Sequence, residues 1–219
     1  MASLTPVHWE AITPTMRELL QYIGRCPFAG RFYLAGGTGL ALRLGHRRSV
    51  DLDFFSGVDE VAAKTRREIL GALAPLAPQA LEDIDGSLQL LASGLQASFF
   101  SYGYPLLEAT AAVEGVLVAT VTDIGLMKLD AVINRGTLKD FYDLYMIAQH
   151  VPIPQLLALS KQKYPYARDF ELMALEGLVL FDAAETDPPP QLLIELPWEQ
   201  VKRFFITEAR ALGRQWFSE

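Results

Sequence analysis

A glycine pair and an aspartate pair lie close together in this chain: Gly36-Gly37-Thr38, then Asp51-Leu52-Asp53, with the aspartates fourteen and sixteen residues beyond Gly37. Side chains alternate along a strand, so Asp51 and Asp53 point the same way, about 6.8 Å apart, while Val50, Leu52 and Phe54 point the other way. Two bare carboxylates about 5 Å apart would repel by roughly 3 kcal/mol at a mid-range effective dielectric. A pair of divalent cations would remove that repulsion and hold a triphosphate for in-line attack. Asp51 and Asp53 are therefore the candidate metal ligands, for Mg²⁺ or Mn²⁺.

The residues before them supply an anion site. Arg31 to Ala35 reads as a strand, and Thr38 to Leu44 reads as a helix closed by Gly45. Strand, glycine turn and helix start bring unpaired backbone N–H groups to one point, and glycine lets a phosphate approach closely. Gly36, Gly37 and the Thr38 hydroxyl are the expected phosphate contacts, with Arg47 and Arg48 beside them. A dinucleotide-binding reading of Gly37-Thr-Gly39 fails because Leu42 occupies the third glycine position. A Walker-type loop is excluded too, as no Gly-Lys-Ser/Thr occurs.

The combined pattern, Gly36-Gly37 with Asp51-Leu52-Asp53, resembles the Gly-Gly/Ser … Asp-x-Asp motif of the polymerase-β-like nucleotidyltransferases. Within that superfamily, "AGGTGLALRLGHRRSVDLDFF" and the later "KLDAVINRGTLKDFYDLY" resemble the AbiEii/AbiGii nucleotidyltransferase toxin family. The resemblance runs over roughly residues 30 to 150, with a weaker stretch from Trp198 to Phe205. It implies transfer of a nucleoside monophosphate from an NTP to a hydroxyl, with Mg²⁺ or Mn²⁺ as cofactor. It further implies the toxin of a bacterial toxin–antitoxin or phage-defence pair, tRNA or another RNA as acceptor, and a cognate antitoxin as partner. The same core supports two alternatives: a small-molecule or protein hydroxyl as acceptor, or an inactive nucleotide-binding module.

Composition narrows the setting. With 219 residues, of which 51% are hydrophobic, the chain can bury a proper core. It has no run of 18 consecutive apolar residues and no charged-then-apolar start, so a cytoplasmic protein with no membrane partner is expected. The lone Cys26 precludes an internal disulfide and a thiolate zinc site. A net charge of −7 is the wrong sign for general electrostatic binding of nucleic acid. His46-Arg47-Arg48 and the group Lys161, Lys163 and Arg168 are the local basic clusters. Only the first stands where phosphates are expected.

The fold expected is α/β (α+β): a nucleotidyltransferase-like mixed sheet flanked by helices over residues 1–120, then a helical region over 121–219 packed on it. Helices are predicted at Pro14 to Arg25 and Asp59 to Leu73. Strands are predicted at Ser87 to Ala92, Leu95 to Tyr102 and Val116 to Thr120, with Ser93-Gly94 as a hairpin turn. This makes a sheet of four or five strands, with Glu82, Asp83 and Asp85 lying before the hairpin. Later helices are predicted at Asp123 to Arg135, Leu138 to Gln149, Ile153 to Lys161, Ala167 to Ala184 and Trp198 to Phe217.

Lys128 and Arg135, seven apart, fall on one face of a helix and can present two positive charges together. The resemblance implies that Lys128 contacts nucleotide phosphates. Asp140 and Asp143 are acids on a mostly apolar helix and need partners: Lys139, Arg135 or the active site. Asp140 is also placed to close a capping box with Thr137. Many polymerase-β-like enzymes carry a third carboxylate, the general base, on a later strand; Leu95 to Tyr102 has no acid, and Ser98 stands in the corresponding place. Asp140 or Asp143 is then the candidate base.

Overall fold

Residues 2–217 are described here from a computed structural model. The chain forms two compact units, divided between Thr120 and Val121.

The first unit is a seven-stranded mixed sheet with helices. Helix α1 (Pro14–Gly24) starts on the Thr13 hydroxyl, which accepts from the Met16 N–H at 3.2 Å, and it buries Met16, Leu19, Leu20 and Ile23 along one stripe. Strand β1 (Tyr33–Leu34) leads into α2 (Gly36–Leu44), then β2 (Asp51–Ser56) and α3 (Ala63–Ala72). Strands β3 (Gln79–Ile84), β4 (Ser87–Ala92), β5 (Leu95–Ser101), β6 (Ala111–Val113) and β7 (Val116–Val118) follow. Their order is β3-β4-β5-β2-β1-β7-β6, with β2 parallel to β5, β1 parallel to β7, and the remaining pairs antiparallel.

Alternation decides what each sheet face does. In β2, Leu52, Phe54 and Ser56 are buried while Asp51, Asp53 and Phe55 are half-buried. Leu52 and Phe54 join Ala97 and Phe99 of β5, Leu88 and Leu90 of β4, and the α1 stripe in one core. Phe54 stacks on Phe99 at 5.0 Å, and Phe28 and Phe32 meet Phe99 edge-on at 5.6 and 5.4 Å. This apolar face anchors β2, so the carboxylates are held on the opposite face by packing they do not share.

The sheet is larger than the four or five strands expected. Strand β3 carries Glu82 and Asp83 and is exposed almost throughout, as an edge strand can be, so it shows no alternation to read. Strand β6 is only three residues long. Helix α3 begins at Ala63 rather than Asp59, because the Asp59 carboxylate accepts from the Val61 N–H at 2.8 Å and faces Arg31 at 3.0 Å, building a loop.

The second unit is helical: α4 (Val121–Asn134), α5 (Leu138–Ala148), α6 (Ile153–Lys163), α7 (Phe170–Gly177), α8 (Asp182–Thr186) and α9 (Trp198–Phe217). Phe141 of α5 sits at its centre, with the rings of Phe181, Trp198 and Phe205 at 5.1, 5.8 and 5.5 Å. The helix expected over Ala167 to Ala184 is two, broken after Gly177, where a Cβ would lie 3.2 Å from the Val132 carbonyl of α4. No helix among the described residues is long and apolar enough to cross a membrane.

Candidate active site

In the first unit the chain leaves β1, turns at Gly36 and enters α2, beside β2. The Ala35 N–H donates to the Asp53 carbonyl at 3.0 Å, which fixes the turn to the aspartate strand. Gly36 has φ +58°, and a Cβ there would stand 2.9 Å from Asp53 Oδ2. A Cβ on Gly37 would stand 2.3 Å from Arg47 Nη2. The Asp53 carboxylate and the Arg47 guanidinium thus lie directly against two consecutive glycines, a closeness no other residue type allows. Gly36→Ala is expected to cost roughly 1–2 kcal/mol in urea unfolding from the left-handed backbone alone. By displacing Asp53 it is also expected to cut the nucleotidyl transfer that the resemblance implies by on the order of 100-fold. Wild-type transfer rates in that variant would show that the carboxylate's seat against Gly36 is irrelevant.

The first intrahelical bond of α2 runs from the Gly39 N–H to the Ala35 carbonyl at 2.9 Å, so the N–H groups of Gly36, Gly37 and Thr38 precede it. The helix has no side-chain cap and no acid in its first turn. Its positive N-terminal end is therefore uncompensated by its own sequence, as an anion site requires. Arg43, at the other end of α2, donates to the Ala119 and Val118 carbonyls at 2.6 and 3.0 Å and fixes the helix against β7.

The Thr38 side chain differs from expectation. It is 1% exposed, its hydroxyl donates to the Asp51 carbonyl, and its oxygen lies 2.7 Å from Ser49 Oγ. Ser49 Oγ is in turn 3.5 Å from Asp51 Oδ1. The Thr38 proton is committed inside the protein, so the side chain ties the start of α2 to the start of β2. Ser49 was missed in the sequence; its one local signal is that it stands two residues before Asp51. Arg47 is 5% exposed and its Nη1 donates to the Arg48 carbonyl at 3.0 Å, while Arg48 itself is exposed.

Among the described residues no group of three or more His, Cys, Asp and Glu is placed to hold a metal by itself. The donors at hand are the two half-buried β2 carboxylates. Hard oxygen donors in that number suit Mg²⁺, which binds through one or two carboxylates and completes its shell with substrate phosphates and water. The register sets Ser98 of β5 opposite Asp53, Gln89 of β4 opposite Ser98, and Glu82 of β3 opposite Gln89. Glu82 accepts from Gln89 Nε2 at 2.9 Å. It stands three strands from Asp53, roughly 14 Å at the usual strand spacing, too far to share a cation with it.

The second unit holds a separate buried charge network. Lys128 of α4, 4% exposed, meets Asp140 Oδ1 at 2.8 Å and Asp143 Oδ2 at 2.7 Å, and both aspartates are fully buried. Arg135 forks onto Asp140 at 2.8 and 3.0 Å, and the Thr137 hydroxyl also donates to it. Lys128 and Arg135 do share a helix face, but their charges converge on an internal carboxylate. Burial alone would raise the Asp140 carboxyl; Lys128 and Arg135, through charge and hydrogen bonds, overcome it and hold the group well below the usual carboxylate range. A carboxylate so stabilised, with both oxygens occupied, is a poor proton acceptor, and the general-base expectation for Asp140 is not supported.

A second internal pair was not foreseen. Lys163 and Asp123, both fully buried, meet at 2.8 Å. Lys163 therefore leaves the basic cluster drawn from Lys161, Lys163 and Arg168. Its partner is 40 residues away, with no local pattern to announce it.

Comparison with known proteins adds the family. The family described as "Nucleotidyl transferase AbiEii toxin, Type IV TA system" matches residues 18–93 and 95–215. An uncharacterised protein of Aquifex aeolicus (strain VF5) is 35% identical over 197 residues, covering 86% of this chain and 91% of its own. Among solved structures, the nucleotidyltransferase toxin MenT4 of Mycobacterium tuberculosis H37Rv aligns with a TM-score of 0.55 at 17% identity, over 92% of this chain and 86% of that one. The antibiotic-resistance factor ANT(2'')-Ia aligns with a TM-score of 0.52 at 13% identity, over 67% and 89%. At these identities the two structures speak for the fold.

Proposed function

Because the chain belongs to the nucleotidyl transferase AbiEii toxin family of type IV toxin–antitoxin systems, we propose that it is a metal-dependent enzyme that moves an NMP group from an NTP to a hydroxyl of RNA. Nucleotidyl transfer, an NTP donor and a cognate antitoxin follow from the family; the metal and the acceptor are our reading. The observation that carries it is the seating of Asp53 and Arg47 against Gly36 and Gly37, with Asp51 on the same face of β2. A cation and a phosphate chain would meet at that point.

In this reading Asp51 and Asp53 hold Mg²⁺, or Mn²⁺, which supplies charge neutralisation of the triphosphate and of the leaving pyrophosphate. The N–H groups of Gly36 and Gly37 take phosphate oxygens, and Arg47 lends positive charge beside them, with Arg48 further out. The acceptor oxygen bonds to the α-phosphorus as the bond to the β-phosphate oxygen breaks, and pyrophosphate leaves. Positioning and electrostatics account for most of such a reaction. Lys128, Arg135, Asp140 and Asp143 act by fixing α4 to α5, as a rigid support rather than as phosphate ligands.

A second reading, favoured by the net charge of −7, gives the same chemistry a small-molecule hydroxyl as acceptor. The deciding experiment is incubation with each α-labelled NTP, Mg²⁺ and total bacterial RNA. Label in RNA, seen with the wild type and absent with Asp51→Ala/Asp53→Ala, is the expected result. Label confined to small molecules would replace RNA as the acceptor class.

A further inference from the structure

The face of the sheet that carries the carboxylates also carries aromatic rings. Alternation along β2 puts Phe55 on the side of Asp51 and Asp53, one pleat repeat or about 6.8 Å beyond Asp53. The register sets Phe100 of β5 opposite Phe55, and their ring centroids are 5.3 Å apart. Tyr102 meets Phe55 edge-on at 5.5 Å, and Tyr104, 38% exposed, meets Tyr102 at 5.3 Å. Neither Phe55 nor Phe100 belongs to the hydrophobic core, which takes Phe54 and Phe99 on the opposite face. Both rings are half-buried.

Phe55 is itself stacked on Tyr33 of β1 at 6.1 Å on the side away from Phe100, whose own far neighbour is the small Ser87 of β4. We propose, on the RNA-acceptor reading above, that Phe100, backed by Phe55, is the stacking platform for the terminal base of a single-stranded acceptor. A ribose hydroxyl lies about as far from its own base as Asp53 lies from Phe55. A nucleotide whose hydroxyl is presented at the β2 carboxylates therefore reaches the rings with its base. Charge points the same way. At a net charge of −7 and an isoelectric point near 5.0, the chain lacks the general attraction by which proteins hold nucleic acid through phosphates. Stacking needs no such charge, and it tolerates any base.

The test compares wild type, Phe100→Leu, Phe55→Leu and Phe100→Tyr in label transfer from NTP to single-stranded RNA. Each leucine variant is expected to raise KM for RNA about tenfold, with the KM for NTP unchanged and its thermal melt close to wild type. Phe100→Tyr, which keeps a ring, is expected to retain wild-type KM. The wild-type KM for RNA should also change only weakly with salt. If wild type labels RNA and both leucine variants keep its KM, stacking is overturned and the RNA reading stands. Should Phe100→Leu fail to fold, Phe55→Leu decides in the same way. If wild type labels no RNA, the acceptor reading falls, and this inference with it.

Discussion

Asp53→Ala is expected to abolish nucleotidyl transfer, by at least about a thousandfold, while the protein stays folded. The side chain is half-buried, on the face of β2 away from the core formed by Leu52 and Phe54, so that core stays intact without it. The contact that binds β2 to the glycine turn, Ala35 N–H to the Asp53 carbonyl, belongs to the backbone and survives the substitution. Label transfer beside a thermal melt checks both halves. Transfer retained in a folded Asp53→Ala protein would end the metal assignment.

The second large effect lies in the other unit and is of the opposite kind. Lys128→Ala is expected to cost about 3–5 kcal/mol of stability, because it strands two fully buried carboxylates, Asp140 and Asp143, whose ammonium partner is gone. Arg135 still forks onto Asp140 and offsets part of the penalty there. Replacing the group together, Lys128→Met with Asp140→Asn and Asp143→Asn, should recover much of the loss, since an uncharged set leaves no buried ion unmatched. Urea unfolding of both variants measures this. A loss under about 1 kcal/mol for Lys128→Ala would mean that the network is not what holds α4 to α5.

The contrast between these two sites explains what the sequence could tell. Asp51 and Asp53 were legible because strand alternation is a local rule, and the glycine pair because a turn before a helix is one too. Why both glycines are needed was not legible, as it depends on the Asp53 carboxylate and Arg47 guanidinium arriving from across the turn. A threonine at a helix start reads as a free phosphate donor, whereas the fold directs the Thr38 hydroxyl to the Asp51 carbonyl. Lys128 could be recognised as a buried cation needing a partner from its apolar neighbours, and Asp140 and Asp143 as acids needing one. That the three meet follows from the packing of α4 against α5. Strand β3 escaped notice because an edge strand with both faces exposed has no hydrophobic period. Lys163 reads as solvated for the converse reason: a lysine at the end of a helix has no local pattern to mark it as buried, and the Asp123 carboxylate it meets lies at the start of α4.

The most direct test of the catalytic reading is a calorimetric titration of the wild-type protein with NTP, with Mg²⁺ and then with the metal chelated, beside Asp51→Ala/Asp53→Ala under both conditions. NTP binding is expected to depend on Mg²⁺ in the wild type and to be lost in the double variant even with the metal present. Equal affinity with and without Mg²⁺, unchanged by loss of both aspartates, would contradict it and place the nucleotide elsewhere on the chain.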